Sequence, residues 1–294
     1  MNTTIFILLL QFVVSTKAGL VNYVQGPANI KPTQSVPLGS AIKTGPDGFA
    51  EVLLNPGSYL RLGQNSEAVL EGIELVNVSV RLISGTAVIE AADFDKDTPL
   101  KVTSGNLKAR IIKNGIYVFK DGRVKVVEGQ VHVEGGKKVY KKGWEVSNDQ
   151  ALKVAKGDRA DIELWSRNRS NLIAMANANV SNSIRGNPGL ASSFYNVWLW
   201  DPSFGGFTFM PGYRYRSPYG YTYRGVQETY YGGGGGSFDG GRGRTASNNN
   251  TGSGGTSSGS TSGGGFNATP SAPAVMPSSP NVAEGARSAQ GKQQ

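Results

Sequence analysis

The 294-residue chain contains no cysteine. That excludes disulfides, thiolate zinc sites, iron–sulfur clusters, a cysteine nucleophile and a lipidated N-terminal cysteine. Histidine occurs once, at His132. A histidine-rich metal site is therefore ruled out, and a Ser-His-Asp triad would have to use that residue. Long hydrophobic runs are also missing. The longest, Ile5 to Val14, has ten residues, whereas a membrane-spanning helix needs about twenty. Acidic residues are in the minority, 21 against 30 Lys and Arg, for a formal charge of +9. These absences remove most enzyme classes, and no catalytic residue, resident metal or cofactor is expected.

What is present begins with a leader. The apolar run is followed by Ser15-Thr16-Lys17-Ala18, and Thr16 and Ala18 suit a signal-peptidase cut that leaves Gly19 first. Met1 to Thr4 lacks the usual basic residue. Residues 1–18 are read as a signal peptide, and the exported protein is expected in the periplasm or outside the cell, with no membrane span.

Residues 19–155 carry short apolar-alternating runs: Phe49 to Leu54, Tyr59 to Leu62, Val78 to Leu82, Gly115 to Phe119, Arg123 to Val127 and Gln130 to Glu134. Each is rich in β-branched or aromatic types, the signature of strands with one buried face. Asp121-Gly122, Glu128-Gly129 and Gly135-Gly136 separate the later runs at about seven-residue spacing, and glycine supplies the positive φ of tight turns. The chain is expected to be mainly β, with narrow rungs in a twisted solenoid-like unit or a small roll. Residues 156–186 change to a helical period through Ile162, Trp165, Leu172, Ile173, Ala176, Val180 and Ile184, with Asp158 as cap and Arg167 and Arg169 facing water. Residues 187–231 are aromatic and glycine-rich, with 14 aromatics between Phe194 and Tyr231. The last stretch, 232–294, has five large apolar residues in a Gly/Ser-rich background. They cannot offset the entropy of ordering it, so a disordered tail is expected.

Several stretches resemble the FecR domain: Gly19-Leu20-Val21-Asn22-Tyr23-Val24-Gln25-Gly26, Val36 to Gly48, Ala50 to Leu62, Leu82 to Val88 and Val126 to Val133. The resemblance covers about 19–147 and implies a twisted, solenoid-like all-β unit. In the founding FecR proteins, that unit lies in the periplasm and relays a signal from an outer-membrane receptor to a sigma factor. Those proteins place a cytoplasmic helical segment and a membrane helix before it. Here the β unit follows the leader directly, which argues against an anti-sigma role. Stand-alone exported FecR-domain proteins are a better likeness, and they often carry a helix with residues like Asp161, Trp165 and Arg169.

Charge is segregated. Residues 47–97 hold nine acidic and three basic residues, and residues 101–142 hold eleven basic and three acidic. Lys137, Lys138, Lys141 and Lys142 are the densest group. Read functionally, they form a basic face for anionic glycan or another envelope component; read structurally, they are lysines guarding a strand edge. Export argues against nucleic acid as a partner, despite Gly240-Gly241-Arg242-Gly243-Arg244. Asp93, Asp95 and Asp97 have a D-x-D-x-D spacing, but Thr98 and Ser104 stand where an EF-hand needs Gly and Glu. His132 should point away from Val131 and Val133. Trp198, Trp200, Tyr219, Tyr221 and Tyr223 either stack on sugar rings or a partner, or form a small core over the helix and β unit. The favoured function is a non-enzymatic exported module for envelope or extracellular interaction with a polysaccharide or an envelope protein. The alternatives are an anionic-glycan binder using the lysines and aromatics, and a periplasmic signalling component of FecR type.

Overall fold

The computed structural model describes residues 17–92, 98–154, 157, 160–185 and 194–227. The leader up to Thr16, Asp93 to Asp97, Asp158 and the tail lie outside the described residues.

Residues 20–84 supply β1 (Leu20–Gln25), β2 (Ala41–Lys43), β3 (Phe49–Leu53), β4 (Tyr59–Leu62), β5 (Glu67–Glu74) and β6 (Asn77–Ser84). They are followed by β7 (Thr86–Ala91), β8 (Leu100–Ser104), β9 (Leu107–Lys120), β10 (Arg123–Val133), β11 (Val139–Lys141), β12 (Trp144–Val146) and β13 (Ala151–Lys153). The thirteen strands form one curled sheet with path β1-β3-β4-β7-β9-β8-β6-β5-β2, and β10 to β13 are attached beside β9. Neighbours are antiparallel except β6 and β8. A solenoid stacks parallel rungs, so of the two forms left open by the sequence this is the small roll.

The roll is organised by two strands longer than the sequence suggests. β9 runs 14 residues; its first half pairs with β8 and its second half with β7, while β10 follows along its other edge. Asp121 and Gly122, with φ of 48° and 70°, make the two-residue turn between them, the geometry that matches the twist of a hairpin. Glu128-Gly129, however, is not a turn. It lies inside β10 at a bulge where the register with β9 shifts, so two expected rungs are one bent strand. Gly129 has φ 99°. The bend fits around the Tyr117 hydroxyl, which donates to the Lys113 carbonyl and accepts the Gln130 amide at 2.8 Å. Burial pushes that phenol well above its ordinary pKa, so it stays protonated and able to donate. Across the bulge, Gly115 approaches β10 so closely that a Cβ would collide with the Glu128 carbonyl. Gly115→Ala is expected to cost about 1–3 kcal/mol through overpacking, checked by urea unfolding; a change below a few tenths would contradict this crowding.

Inside the roll, Val21, Ile42, Val52, Leu60, Leu62, Leu70, Ile89, Ile111, Phe119, Val126 and Val131 form the main core, all fully buried. A single buried face was expected of every strand. β3 and β4 are instead buried on both faces, because the helix and the aromatic segment cover the outside of β1, β3, β4 and β7. Helix α1 (Asp161–Arg185) places Asp161 and Glu163 in its first turn, where its dipole favours acids. Ile162 inserts beside Phe49 and Val88, and Trp165 stacks on Phe49 at 5.0 Å and donates to Gln25 Oε1 at 2.8 Å. Leu172, expected on the buried stripe, is exposed, and Arg169, expected in water, is buried. The aromatic segment adds two hairpins, β14 (Val197–Asp201) with β15 (Gly206–Met210) and β16 (Tyr215–Arg216) with β17 (Thr222–Tyr223). Trp198, Phe207, Phe209 and Tyr223 join Leu20, Leu53, Tyr59 and Ile173 in a second core.

Candidate functional site

Between the sheet and α1 lies a cluster of charged side chains sealed from water. β3 carries Glu51 and β4 carries Arg61 directly opposite it; Glu90 follows from β7 and Arg169 from the helix. Arg61 donates through Nε to Glu51 at 2.7 Å and through Nη1 to Glu90 at 2.6 Å and Ser166 Oγ at 2.8 Å. Its guanidinium also lies 4.7 Å from the Tyr59 ring centroid. Arg169 donates to the other Glu51 oxygen at 2.9 Å and is sandwiched between the rings of Tyr23, at 3.9 Å, and Phe204, at 4.9 Å. Asn22 ties this site to the aromatic hairpin. It donates to Glu51 at 2.8 Å and exchanges hydrogen bonds with the Phe207 backbone.

The two carboxylates differ in environment. Burial alone would raise the Glu51 carboxyl, but Arg169 and Arg61 together overcome it and hold the pKa below its ordinary value. Glu90 is also raised by burial; Arg61 and a hydrogen bond from Ser170 oppose this without cancelling it, so its pKa is elevated. Paired carboxylates with diverging acidity can signal general acid–base chemistry. Here both are at most 1% exposed and share one guanidinium, so no substrate reaches them. Their formal charges balance as two acids against two arginines. This arrangement fixes how the helix sits on the sheet, a specificity role that buried ion pairs serve in some proteins.

The surface residues singled out from the sequence sit elsewhere. Lys137, Lys138, Lys141 and Lys142 are all exposed on the β10–β12 side. Lys142 pairs with Glu128 at 2.7 Å, and Lys138 lies over Trp144 at 5.2 Å, with Lys153 at 4.7 Å from the same ring. The aromatic residues divide. Trp198 and Tyr223, each 1% exposed, belong to the core, so a stacking role on sugars is corrected for these two: Trp198 meets Tyr59 edge-on at 5.2 Å. Trp200 is half-buried against Phe207 at 5.0 Å, Tyr221 is half-buried, and Tyr219 donates to Ser166 Oγ at 2.8 Å. Trp198, Trp200, Tyr221 and Tyr223 meet in the second core, and Lys142 shares an open groove of about 250 Å³ beside α1 with Tyr219. A second groove, of about 480 Å³, lies across the Lys125–Glu163 ion pair.

His132 points away from the core as expected and bonds the Gly136 carbonyl at 2.8 Å. Asp93, Asp95 and Asp97 lie outside the described residues; among the described residues no group of three metal-ligating side chains converges. Sequence reasoning missed the buried cluster. Its signal was available, since Glu51 and Arg61 each interrupt an otherwise apolar strand.

Residues 40–132 match the model of a protein family described as FecR protein. The similarity to that family is confined to this segment. It spans β2 to nearly all of β10 and includes Glu51, Arg61 and Glu90, while Asn22, Arg169 and the aromatic hairpins lie outside it. Two crystal structures of a candidate anti-sigma factor from Parabacteroides distasonis are similar at 19% and 18% identity, with TM-scores of 0.36 and 0.35. Each covers 44% of this chain, and this chain spans 65% of the length of each solved chain. No curated protein matches.

Proposed function

We propose that the protein is a non-enzymatic, exported FecR-domain module that works by surface interaction in the cell envelope or outside the cell. One observation carries this reading: the charged groups best suited to chemistry, Glu51, Glu90, Arg61 and Arg169, are consumed in contacts with one another under the helix. What remains for a partner is side-chain surface on a rigid sheet. Fractionation of cells expressing the full chain, with intact-mass measurement, tests it. The expected product starts at Gly19 and is recovered from periplasm or medium. A full-length chain retained in the cytosol would refute the reading.

A second reading, a periplasmic signalling component, is favoured by the FecR match. It expects that deleting the gene abolishes a receptor-dependent transcriptional response. An unchanged response would leave the interaction module standing alone.

A further inference from the structure

The outer face of the β8–β9–β10–β11 region carries a basic array that sequence spacing does not reveal. On β8, Leu100 and Val102 are buried while Lys101 is exposed; on β9, Leu107, Ala109 and Ile111 are buried while Lys108 and Arg110 are exposed. Strand register then places Lys101 directly opposite Arg110, Arg110 opposite His132, and His132 opposite Val139. Lys141 faces Gln130 in the next row of the same face. Glu134 stands opposite Lys108, its amide bonding the Lys108 carbonyl, and Glu74 stands opposite the Asn77 that Lys101 contacts. Lys101 reaches Asn77 rather than a carboxylate, at 3.1 Å.

Like charges directly opposite each other destabilise a sheet. Guarding an edge does not account for them, because edge charges serve to block strand addition and β8 and β9 are interior strands with partners on both sides. We propose that this face binds an anionic polysaccharide, its carboxylates neutralising the opposed pair Lys101 and Arg110 together with Lys108 and Lys141. An extended chain suits the convex side of a curled sheet, where cationic groups recur at strand spacing, about 4.8 Å. Single-stranded nucleic acid binders combine basic grooves with stacking aromatics, and the exposed positions of these rows carry no Phe, Tyr or Trp.

The inference rests on the interaction-module reading, and the test keeps the two apart. Purified protein beginning at Gly19 is titrated with polygalacturonate, neutral dextran and single-stranded DNA in about 50 mM and about 300 mM NaCl. Polygalacturonate is expected to bind in low salt and to weaken in high salt, with dextran silent and DNA weaker. The triple variant Lys101→Gln, Lys108→Gln, Arg110→Gln should lose about tenfold in affinity, from three surface contacts of a few tenths to 1 kcal/mol each. It should also melt no lower than the parent, since repulsion is relieved. Lys31→Gln, Lys43→Gln, Lys153→Gln removes equal charge elsewhere and should bind as the parent does. No polygalacturonate binding, equal losses in both triples, or DNA binding as tight as the polysaccharide would overturn the site. None of those outcomes touches the export and interaction reading, which fails on localisation instead.

Discussion

Arg61→Met is expected to destabilise the protein by about 3–5 kcal/mol, the range seen when one partner of a buried ion cluster is removed. The guanidinium holds Glu51 and Glu90 at 2.7 and 2.6 Å. Methionine fills most of its volume, so the loss reports electrostatics more than packing. Glu51 would keep Arg169 and Asn22, whereas Glu90 would keep only Ser170, so the uncompensated charge falls mainly on β7. Guanidinium-chloride unfolding followed by tryptophan fluorescence measures the change. A loss below about 1 kcal/mol would mean that the cluster is solvated or that its charges are not formed.

Trp198→Ala is expected to cost a similar amount, about 3–5 kcal/mol, as for other buried large-to-small changes. The indole packs edge-on against Tyr59 of the sheet at 5.2 Å and Phe209 of its own hairpin at 5.9 Å, so its removal opens a cavity between the aromatic segment and the roll. Differential scanning calorimetry should show a lower melting temperature and still a single transition. Two resolved transitions would mean that the aromatic segment melts by itself and that its contact with the sheet contributes little to the fold.

The mainly β fold and its following helix were legible because alternation and helical periodicity are local properties. The Asp121-Gly122 turn was legible for the same reason. Gly129 was not, because a positive-φ glycine makes a turn or a bulge depending on what lies across the strand, here Tyr117. Arg169 misled for a different reason: a charged residue is ordinarily read as solvent-facing, and only the packing of the helix on β3 shows that its countercharge, Glu51, lies beneath it. The basic row at Lys101 and Arg110 was hidden likewise. Those residues are nine positions apart in the chain, in a stretch whose densest lysines lie further on, and only register makes them neighbours. For Trp198 and Trp200 the sequence left stacking and packing open; two residues apart on β14 they share a face, and what separates them is packing, Trp198 buried against Tyr59 and Trp200 half-buried against Phe207.

The match to the family model ends at residue 132, but the buried ion cluster reaches past it to Arg169. An excised fragment cut at the limits of that match would expose Glu51, Arg61 and Glu90 with neither Arg169 nor Asn22 present. Expression boundaries, chimeras and grafting experiments should therefore treat residues 19 to 227 as one inheritable piece, in which a change at Arg169 is felt by a strand more than a hundred positions upstream.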